Sequence, residues 1–218
     1  AGVSRSARSM TAISSSHLPP ALEDYGDVVA ADDPAEAERL ALVKRLTSPE
    51  GDLPRIIVTT IQALLAPLED PRDIEASTRR LAVGGTLDPG ELADWLTARG
   101  WEAADAVDRP GTFARRGGII DLFATDWDRP VRVDLFGDEI ESLRTFDTIS
   151  QRSVDSLASI DLTALARSPD AAGRTARRTH LADILPTGSW WALVEPGELA
   201  EEAQRTHQRL GAAAGLAD

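Results

Sequence analysis

Cysteine is absent from the 218 residues of this sequence, and lysine occurs only once, as Lys44. The lack of cysteine excludes disulfide bonds, cysteine-ligated zinc, iron–sulfur clusters and thiol nucleophiles. Basic residues are also scarce, because 23 lysines and arginines face 36 aspartates and glutamates and give a formal charge of −13. Non-specific DNA binding neutralises phosphates with a surplus of basic side chains, so this composition disfavours that role.

Membrane-spanning and phosphate-binding patterns are also missing. No apolar run reaches the ~18–20 residues of a membrane-spanning helix, so we expect no membrane partner. A phosphate-binding P-loop needs a lysine directly after a glycine-rich turn. Lys44 follows LALV in a predicted helix, and no lysine follows the doublets Gly84-Gly85 and Gly117-Gly118. A Walker A site is therefore absent from this chain, and we expect no enzymatic activity, no catalytic residue and no cofactor.

The remaining candidates for chemistry have simpler structural interpretations. Asp138-Glu139 follows an apolar strand, as the acidic pair of a Walker B box does, but Gly137 before the pair favours a hairpin turn. The three histidines are far apart, and none has a partner four residues away: His17, His180 and His207. We therefore expect no metal site.

Residues 17–79 have the order of elements of an α/β domain. A helix is predicted from Pro34 onwards, since proline suits the first helical position. The β-branched run RIIVTT at 55–60 predicts a buried strand, and residues 61–66 predict a short helix. Helix, strand and helix in this order are typical of α/β folds.

The same order of elements returns late in the sequence. SWWALVEP at 189–196 predicts a second buried strand, and residues 197–210 predict an amphipathic helix. We expect residues 166–218 to be an exposed linker, over 166–180, and then the second part of the α/β domain. Residues 1–16 are rich in serine and arginine without an acid, so we expect a disordered or truncated start; the alternative is a transit peptide.

Residues 80–165 predict an α+β domain inserted between those two parts. Asp88 is the predicted N-cap of a helix that ends before Gly100. Three segments follow that we expect to be single strands: 113–123, 131–136 and 140–147. Together these elements predict a helix packed on an antiparallel sheet.

The strand at 131–136 carries the clearest sign of a binding surface. Its apolar residues alternate toward one face, so Arg132 and Phe136, four positions apart, share the other. Arginine and aromatic side chains are typical of protein interfaces. Arg115 and Arg116, expected on the neighbouring strand, add donors suited to carboxylates. Two interpretations stay open at this point: Phe136 lies in a protein interface, or it covers a second small core.

Three motifs resemble one known family. They are RGGIIDLF at 116–123, RVDLFGDEIES at 132–142 and FDTISQRS at 146–153. This combination is similar to the UvrB-interaction-type domain, which occurs in the bacterial excision-repair helicase UvrB and in transcription-repair coupling factors. The SQRS motif and the runs RLALVKRL and RIIVTTIQALLAP favour the coupling factors.

The resemblance implies a fold and a partner. Residues 17–79 and 166–218 would form one discontinuous, degenerate RecA-like α/β domain without an ATP site. The inserted α+β domain, residues 80–165, would dock onto the damage-sensing ATPase UvrA. The positions that match the family's UvrA contacts are Arg116, Arg132 and Phe136.

The resemblance also implies a function. The chain would be a non-catalytic adaptor that recruits UvrA to stalled RNA polymerase and also holds the motor of a longer parent protein in check. RNA polymerase and DNA would be contacted only through other parts of that parent, and we expect a cytoplasmic monomer. Two alternatives remain: a fragment of a UvrB-like DNA-repair helicase, or a stand-alone acidic interaction protein that carries the same domain.

Overall fold

The computed structural model describes residues 15–19, 34–48, 53–166 and 177–213, which form twelve strands and six helices. The strands are β1 (Ser15–Leu18), β2 (Ile56–Thr59), β3 (Leu68–Glu69), β4 (Thr78–Ala82), β5 (Glu102–Ala103), β6 (Thr112–Arg116), β7 (Ile119–Phe123), β8 (Val131–Phe136), β9 (Glu139–Phe146), β10 (Ser153–Leu157), β11 (Ser159–Thr163) and β12 (Arg178–Thr179). The helices are α1 (Pro34–Thr47), α2 (Ile61–Leu65), α3 (Pro71–Ala76), α4 (Pro89–Thr97), α5 (Leu181–Ile184) and α6 (Pro196–Ala213). The fold is therefore mixed α/β.

A six-stranded sheet occupies the middle of the chain, in the order β10-β9-β8-β7-β6-β5. Neighbouring strands are antiparallel except β5 and β6, which run parallel at one edge. Helix α4 and the antiparallel pair β4–β11 cover one face, which we call the inner face, because their apolar side chains share its buried cluster. Members from three of these elements, α4, β8 and β11, are Leu92, Leu96, Val133 and Leu162. The predicted helix on a sheet is confirmed, although the sheet is mixed.

Helix α4 begins where its capping signals predict. The Asp88 carboxylate accepts the backbone N–H groups of Gly90 and Glu91, at 2.7 and 2.9 Å. Gly100, just beyond the helix, has φ of +80°, a conformation that glycine adopts without steric cost. Both ends of the helix are thus fixed by residues that the sequence displays.

The segment 113–123, predicted as one strand, is a hairpin. Strands β6 and β7 pair antiparallel across a turn at Gly117-Gly118. Gly117 has φ of +60°, and a Cβ on Gly118 would lie 2.8 Å from the carbonyl oxygen of Leu135 on β8. The backbones of the doublet and β8 therefore lie close together, and the doublet reverses the chain because glycine accepts a positive φ.

The flanking residues build a second, smaller buried cluster. Strands β1 and β2 pair in parallel, and β3 pairs antiparallel with β12. The cluster draws members from β1, α1, α2 and α5: Leu18, Val43, Ala63 and Leu181. Residues that precede the six-stranded sheet in the sequence therefore pack against residues that follow it.

A buried arginine ties helix α1 to its surroundings. Arg39, 2% exposed, donates to the carbonyl oxygens of Pro67 at 2.8 Å and Pro19 at 3.1 Å. Its Nε lies 3.5 Å from a carboxylate oxygen of Glu36, one turn earlier in the helix. The guanidinium thus satisfies loop carbonyls that the helix alone could not reach.

Two flanking segments predicted as buried strands are exposed. RIIVTT forms β2, but Ile56 and Val58 are 47% and 59% exposed, because the described residues supply only β1 beside it and leave one face uncovered. Residues 189–195 form no strand, and Trp190 is 99% exposed. The predicted helices at the start and end of the flanks are confirmed as α1 and α6.

Two short strands lie in segments that we expected to be a disordered start and an exposed linker. Ser15 and Ser16 belong to β1, so a disordered start is wrong for these two residues. Arg178–Thr179 form β12, and Arg177, Arg178 and His180 are exposed, which agrees with an exposed linker. Residues 1–14 and 167–176 lie outside the described residues.

One ion pair joins the two buried clusters. Lys44 on α1 meets Asp126 in the loop between β7 and β8, with Nζ 2.5 Å from Oδ2. The Asp126 side chain is 5% exposed, and Lys44 is the cation that contacts it. We call this contact the seam.

Candidate interaction face

The candidate site is the side of the six-stranded sheet opposite the inner face, which we call the outer face. Residues paired across neighbouring strands project to the same side. Arg116 of β6 pairs with Ile119 of β7, and Ile119 pairs with Asp134 of β8. Arg132 and Phe136 lie two positions on either side of Asp134 and therefore share its face. The three predicted contact residues are thus on one surface.

Phe136 projects from the outer face with 79% of its surface exposed. Across the β8–β9 hairpin its partner is Glu139. On the other side, β7 has already turned at Gly117-Gly118, which carries no side chain to cover the ring. The ring is therefore uncovered on its β7 side, which explains the exposure.

A small buried cluster does exist on the outer face, but Phe136 is not a member of it. Its members are Val107, Ala114, Phe123 and Phe146. Among the described residues Phe136 therefore covers no second core, and the interface interpretation stays a prediction.

Arg132 is bound within the sheet. Its Nε and Nη2 donate to the two carboxylate oxygens of Asp121 on β7, at 2.7 and 2.8 Å, and Nη2 also lies 3.2 Å from the amide oxygen of Gln151. The guanidinium lies over the Phe146 ring, 4.5 Å from its centroid. The hydrogen bond with Asp121 raises the pKa of Arg132 above its ordinary value.

The turn after β9 is ordered by its own hydrogen bonds and meets Arg132. Asp147 accepts the backbone N–H and the hydroxyl of Ser150, both at 2.8 Å, and these bonds lower the pKa of Asp147. Gln151 has φ of 59°, which a non-glycine residue adopts only at a cost. The FDTISQRS motif therefore builds a defined turn beside the arginine.

The two arginines of β6 lie on opposite faces. Arg116 is exposed on the outer face, where its guanidinium donates to the carbonyl oxygen of Asp105. Arg115 pairs with Ile120 of the inner cluster and points to that side. Strand β7 separates β6 from β8, so the expectation that these arginines neighbour the 131–136 strand is wrong.

Sequence reasoning missed two features of the outer face. Ile119 is 37% exposed between Arg116 and Asp134. Asp134 accepts hydrogen bonds from Ser142 and Arg144, both at 2.6 Å. Burial raises the pKa of Asp134, but these two bonds together with the charges of Arg144 and Arg132 hold the pKa below its ordinary value. Ile119 follows the glycine doublet and would have been found had the hairpin been recognised.

Other kinds of site are not supported where the structure describes the chain. In that part, no group of three histidine, aspartate or glutamate side chains could hold a metal ion. Asp138 lies in the β8–β9 turn and Glu139 begins β9, as the hairpin interpretation predicts. Within the same ranges, no helix is long and apolar enough to cross a membrane.

The family of the sheet region follows from comparison with known proteins. Residues 80–166 match the family model of the UvrB interaction domain. This part of the chain is a UvrB interaction domain. The UvrB interaction domain includes the whole six-stranded sheet, and with it every outer-face residue described above.

Curated relatives of the chain are DNA-repair proteins. It is 35% identical to the transcription-repair-coupling factor of Bacillus subtilis and 38% identical to that of Myxococcus xanthus, each over 136 residues. Each match covers 62% of this chain but only 11% of the relative. The UvrABC system protein B of Fervidobacterium nodosum is 31% identical over 102 residues, which are 47% of this chain and 15% of that protein.

Proposed function

We propose that this chain is a non-catalytic adaptor module that binds UvrA through the outer face of its UvrB interaction domain. As part of a longer transcription-repair coupling factor, it would recruit UvrA to stalled RNA polymerase and also restrain the parent motor. The proposed binding residues are Arg116, Arg132 and Phe136. The observation that supports this most is the 79% exposure of Phe136 on the face that carries both arginines.

The chemistry of the outer face fits a protein partner. An exposed aromatic ring lowers solubility, and burial in an apolar pocket of a partner would remove the ring from water. Such rings are common interface hot spots. Arg116 offers planar donors to an acidic group beside that pocket. The charge of −13 argues against nucleic acid as the partner.

The flanks belong to the same proposal. We propose that residues 17–79 and 166–218 are two parts of a degenerate RecA-like domain around the inserted domain at 80–165. The shared buried cluster of both flanks and the parallel pair β1–β2 support this proposal. The missing Walker A motif supports a scaffold rather than an ATPase, and we expect the chain to act as a cytoplasmic monomer.

Titration of UvrA with the 218-residue chain tests the function. We expect Phe136→Ala to weaken binding about tenfold or more, because truncation of a hot-spot ring costs ~2 kcal/mol or more and ~1.4 kcal/mol is tenfold. Trp190→Ala is the matched control, since Trp190 is an exposed aromatic side chain outside the UvrB interaction domain. The proposal fails if the wild-type chain does not bind UvrA, or if both variants bind as well as wild type.

A second candidate is a fragment of a UvrB-like helicase. The match to the Fervidobacterium nodosum protein favours it, since that relative is 31% identical over 102 residues. This candidate requires nucleotide or single-stranded DNA binding. Fluorescent ATP analogues and labelled oligonucleotides would show such binding, and its absence would leave the adaptor as the better explanation.

A further inference from the structure

The internal bonds of Arg132 limit what it can offer to a partner. A guanidinium presents its donors in a fixed planar fork, and two N–H groups side by side bind one carboxylate. In Arg132 that edge is taken by both oxygens of Asp121, at 2.7 and 2.8 Å. The Phe146 ring covers one side of the plane, and only 18% of the side chain is exposed.

Asp121 makes this pair difficult to open. Its side chain is 3% exposed, and a buried carboxylate that loses its cation is strongly destabilising. If Arg132 turned toward an acid on a partner, Asp121 would stay buried without its charge partner. Asp121 accordingly keeps Arg132 in place.

The accessible part of the outer face lies nearer the glycine turn. Phe136 is 79% exposed, and Ile119 is a diagonal neighbour on β7 with 37% exposure. Arg116 pairs with Ile119 and is exposed. The strand register places these three side chains at neighbouring positions on the outer face, where they supply two apolar groups and one cation.

We infer that Arg132, although grouped above with the binding residues, acts as a positioning residue that holds β7, β8 and the turn after β9 in register. Phe136, Ile119 and Arg116 then make the contact. This inference rests on the proposed UvrA binding and specifies the chemistry of the partner surface. That surface needs an apolar pocket for Phe136 and Ile119 and an acid opposite Arg116. It needs no acid opposite Arg132.

Replacement of the ion pair by apolar residues tests this role. Asp121→Leu/Arg132→Met removes both charges and fills a similar volume, as buried ion pairs often tolerate. We expect this double variant to bind UvrA within about threefold of wild type, whereas Arg132→Ala weakens binding about tenfold. Asp121→Ala, which frees the guanidinium, is expected to weaken binding as well. Phe136→Ala remains the direct-contact control.

Opposite results would overturn the inference. If Arg132 contacts UvrA directly, the double variant binds as poorly as Arg132→Ala, and Asp121→Ala binds as tightly as wild type or more tightly. Circular dichroism first establishes that each variant is folded. If the leucine–methionine pair does not fold, the neutral hydrogen-bonded pair Asp121→Asn/Arg132→Gln replaces it under the same criteria.

A measurement without the partner separates the inference from the proposed function. Amide hydrogen exchange in β8 and in the turn after β9 is expected to rise about tenfold in Arg132→Ala and to return toward wild type in the double variant. Unchanged exchange in Arg132→Ala would overturn the positioning role. If the wild-type chain does not bind UvrA but the variants show this exchange pattern, the proposed function is refuted and the positioning role of Arg132 stands.

Discussion

The UvrB interaction domain and the flanking residues differ in how they cover their apolar side chains. In the domain, α4 and the β4–β11 pair cover the inner face of the sheet, and Leu122 and Val133 are fully buried there. In the flanks, Ile56, Val58 and Trp190 lie in comparable apolar runs but are exposed. The difference shows that an apolar run is buried only where the same fold supplies an opposing layer.

Truncation of one leucine in each region should give the largest contrast. Leu122 is 0% exposed and Leu193 is 63% exposed. We expect Leu122→Ala to lower the free energy of unfolding by about 2–5 kcal/mol, because it removes buried methyl groups and leaves a cavity. Leu193→Ala should change it by less than ~0.5 kcal/mol, as surface substitutions do. Urea denaturation of both variants measures the two values, and similar losses would contradict the comparison.

Breaking the seam should have an intermediate effect. Lys44→Ala leaves the Asp126 carboxylate, 5% exposed, without its cation. We expect a loss of about 1–3 kcal/mol in the free energy of unfolding, the usual cost of a buried polar group that loses its partner. Urea denaturation again provides the measurement.

Two further variants control the seam experiment. Lys44→Ala/Asp126→Ala should recover part of the loss, because it removes the stranded charge. Asp128→Ala lies on the same loop but is exposed, and it should leave stability nearly unchanged. If Lys44→Ala and Asp128→Ala behave alike, the seam does not couple the two clusters.

Acidification should give the smallest effect, with opposite signs in the two regions. In the domain, hydrogen bonds from the N–H groups of Glu91 and Gly90 hold the pKa of Asp88 below 3.8. Its capping contribution is therefore present above pH 3.8 and is lost as the pH falls through the lower folded-state pKa. Asp88→Asn still caps but does not titrate, so its Tm should fall less than that of wild type over this range.

Glu69 in the flanks provides the contrasting case. Burial raises its pKa above 4.5 even though Arg178 acts in the opposite direction. Its neutral form is favoured in the folded state, so stability is greatest at low pH and is lost as the pH rises through the raised folded-state pKa. The Tm of wild type should therefore fall as the pH rises through this range, and the Tm of Glu69→Gln should not. A decline of the same size in wild type and Glu69→Gln would show that another group is responsible.

The sequence predicted elements whose signals are local. Helix α4 was predictable because Asp88 and Gly100 mark its two ends, and the alternation along β8 was predictable because it has period two. The β6–β7 hairpin was missed because FARRGGIIDLF has apolar residues before and after the glycine doublet and therefore resembles one strand. A positive φ at Gly117 is visible only in the structure.

The parts that could not be predicted depend on contacts distant in sequence. Arg132 and Phe136 were placed on one face correctly, but the role of Arg132 depends on Asp121, eleven residues away on another strand. Without the register of β7 against β8, that partner cannot be identified. SWWALVEP has the composition of a buried strand. Burial depends on an opposing layer from distant parts of the chain, and the described structure supplies none there.

The seam gives the molecule a built-in reporter. Lys44 is the only lysine among the 218 residues, so an amine-reactive reagent has one side chain to modify. Its ammonium is held by Asp126 and its side chain is 23% exposed, so acylation proceeds when that contact opens. Followed at Lys44 apart from the N-terminal amine, the labelling rate therefore reports how often the Lys44–Asp126 contact opens, with no engineered probe.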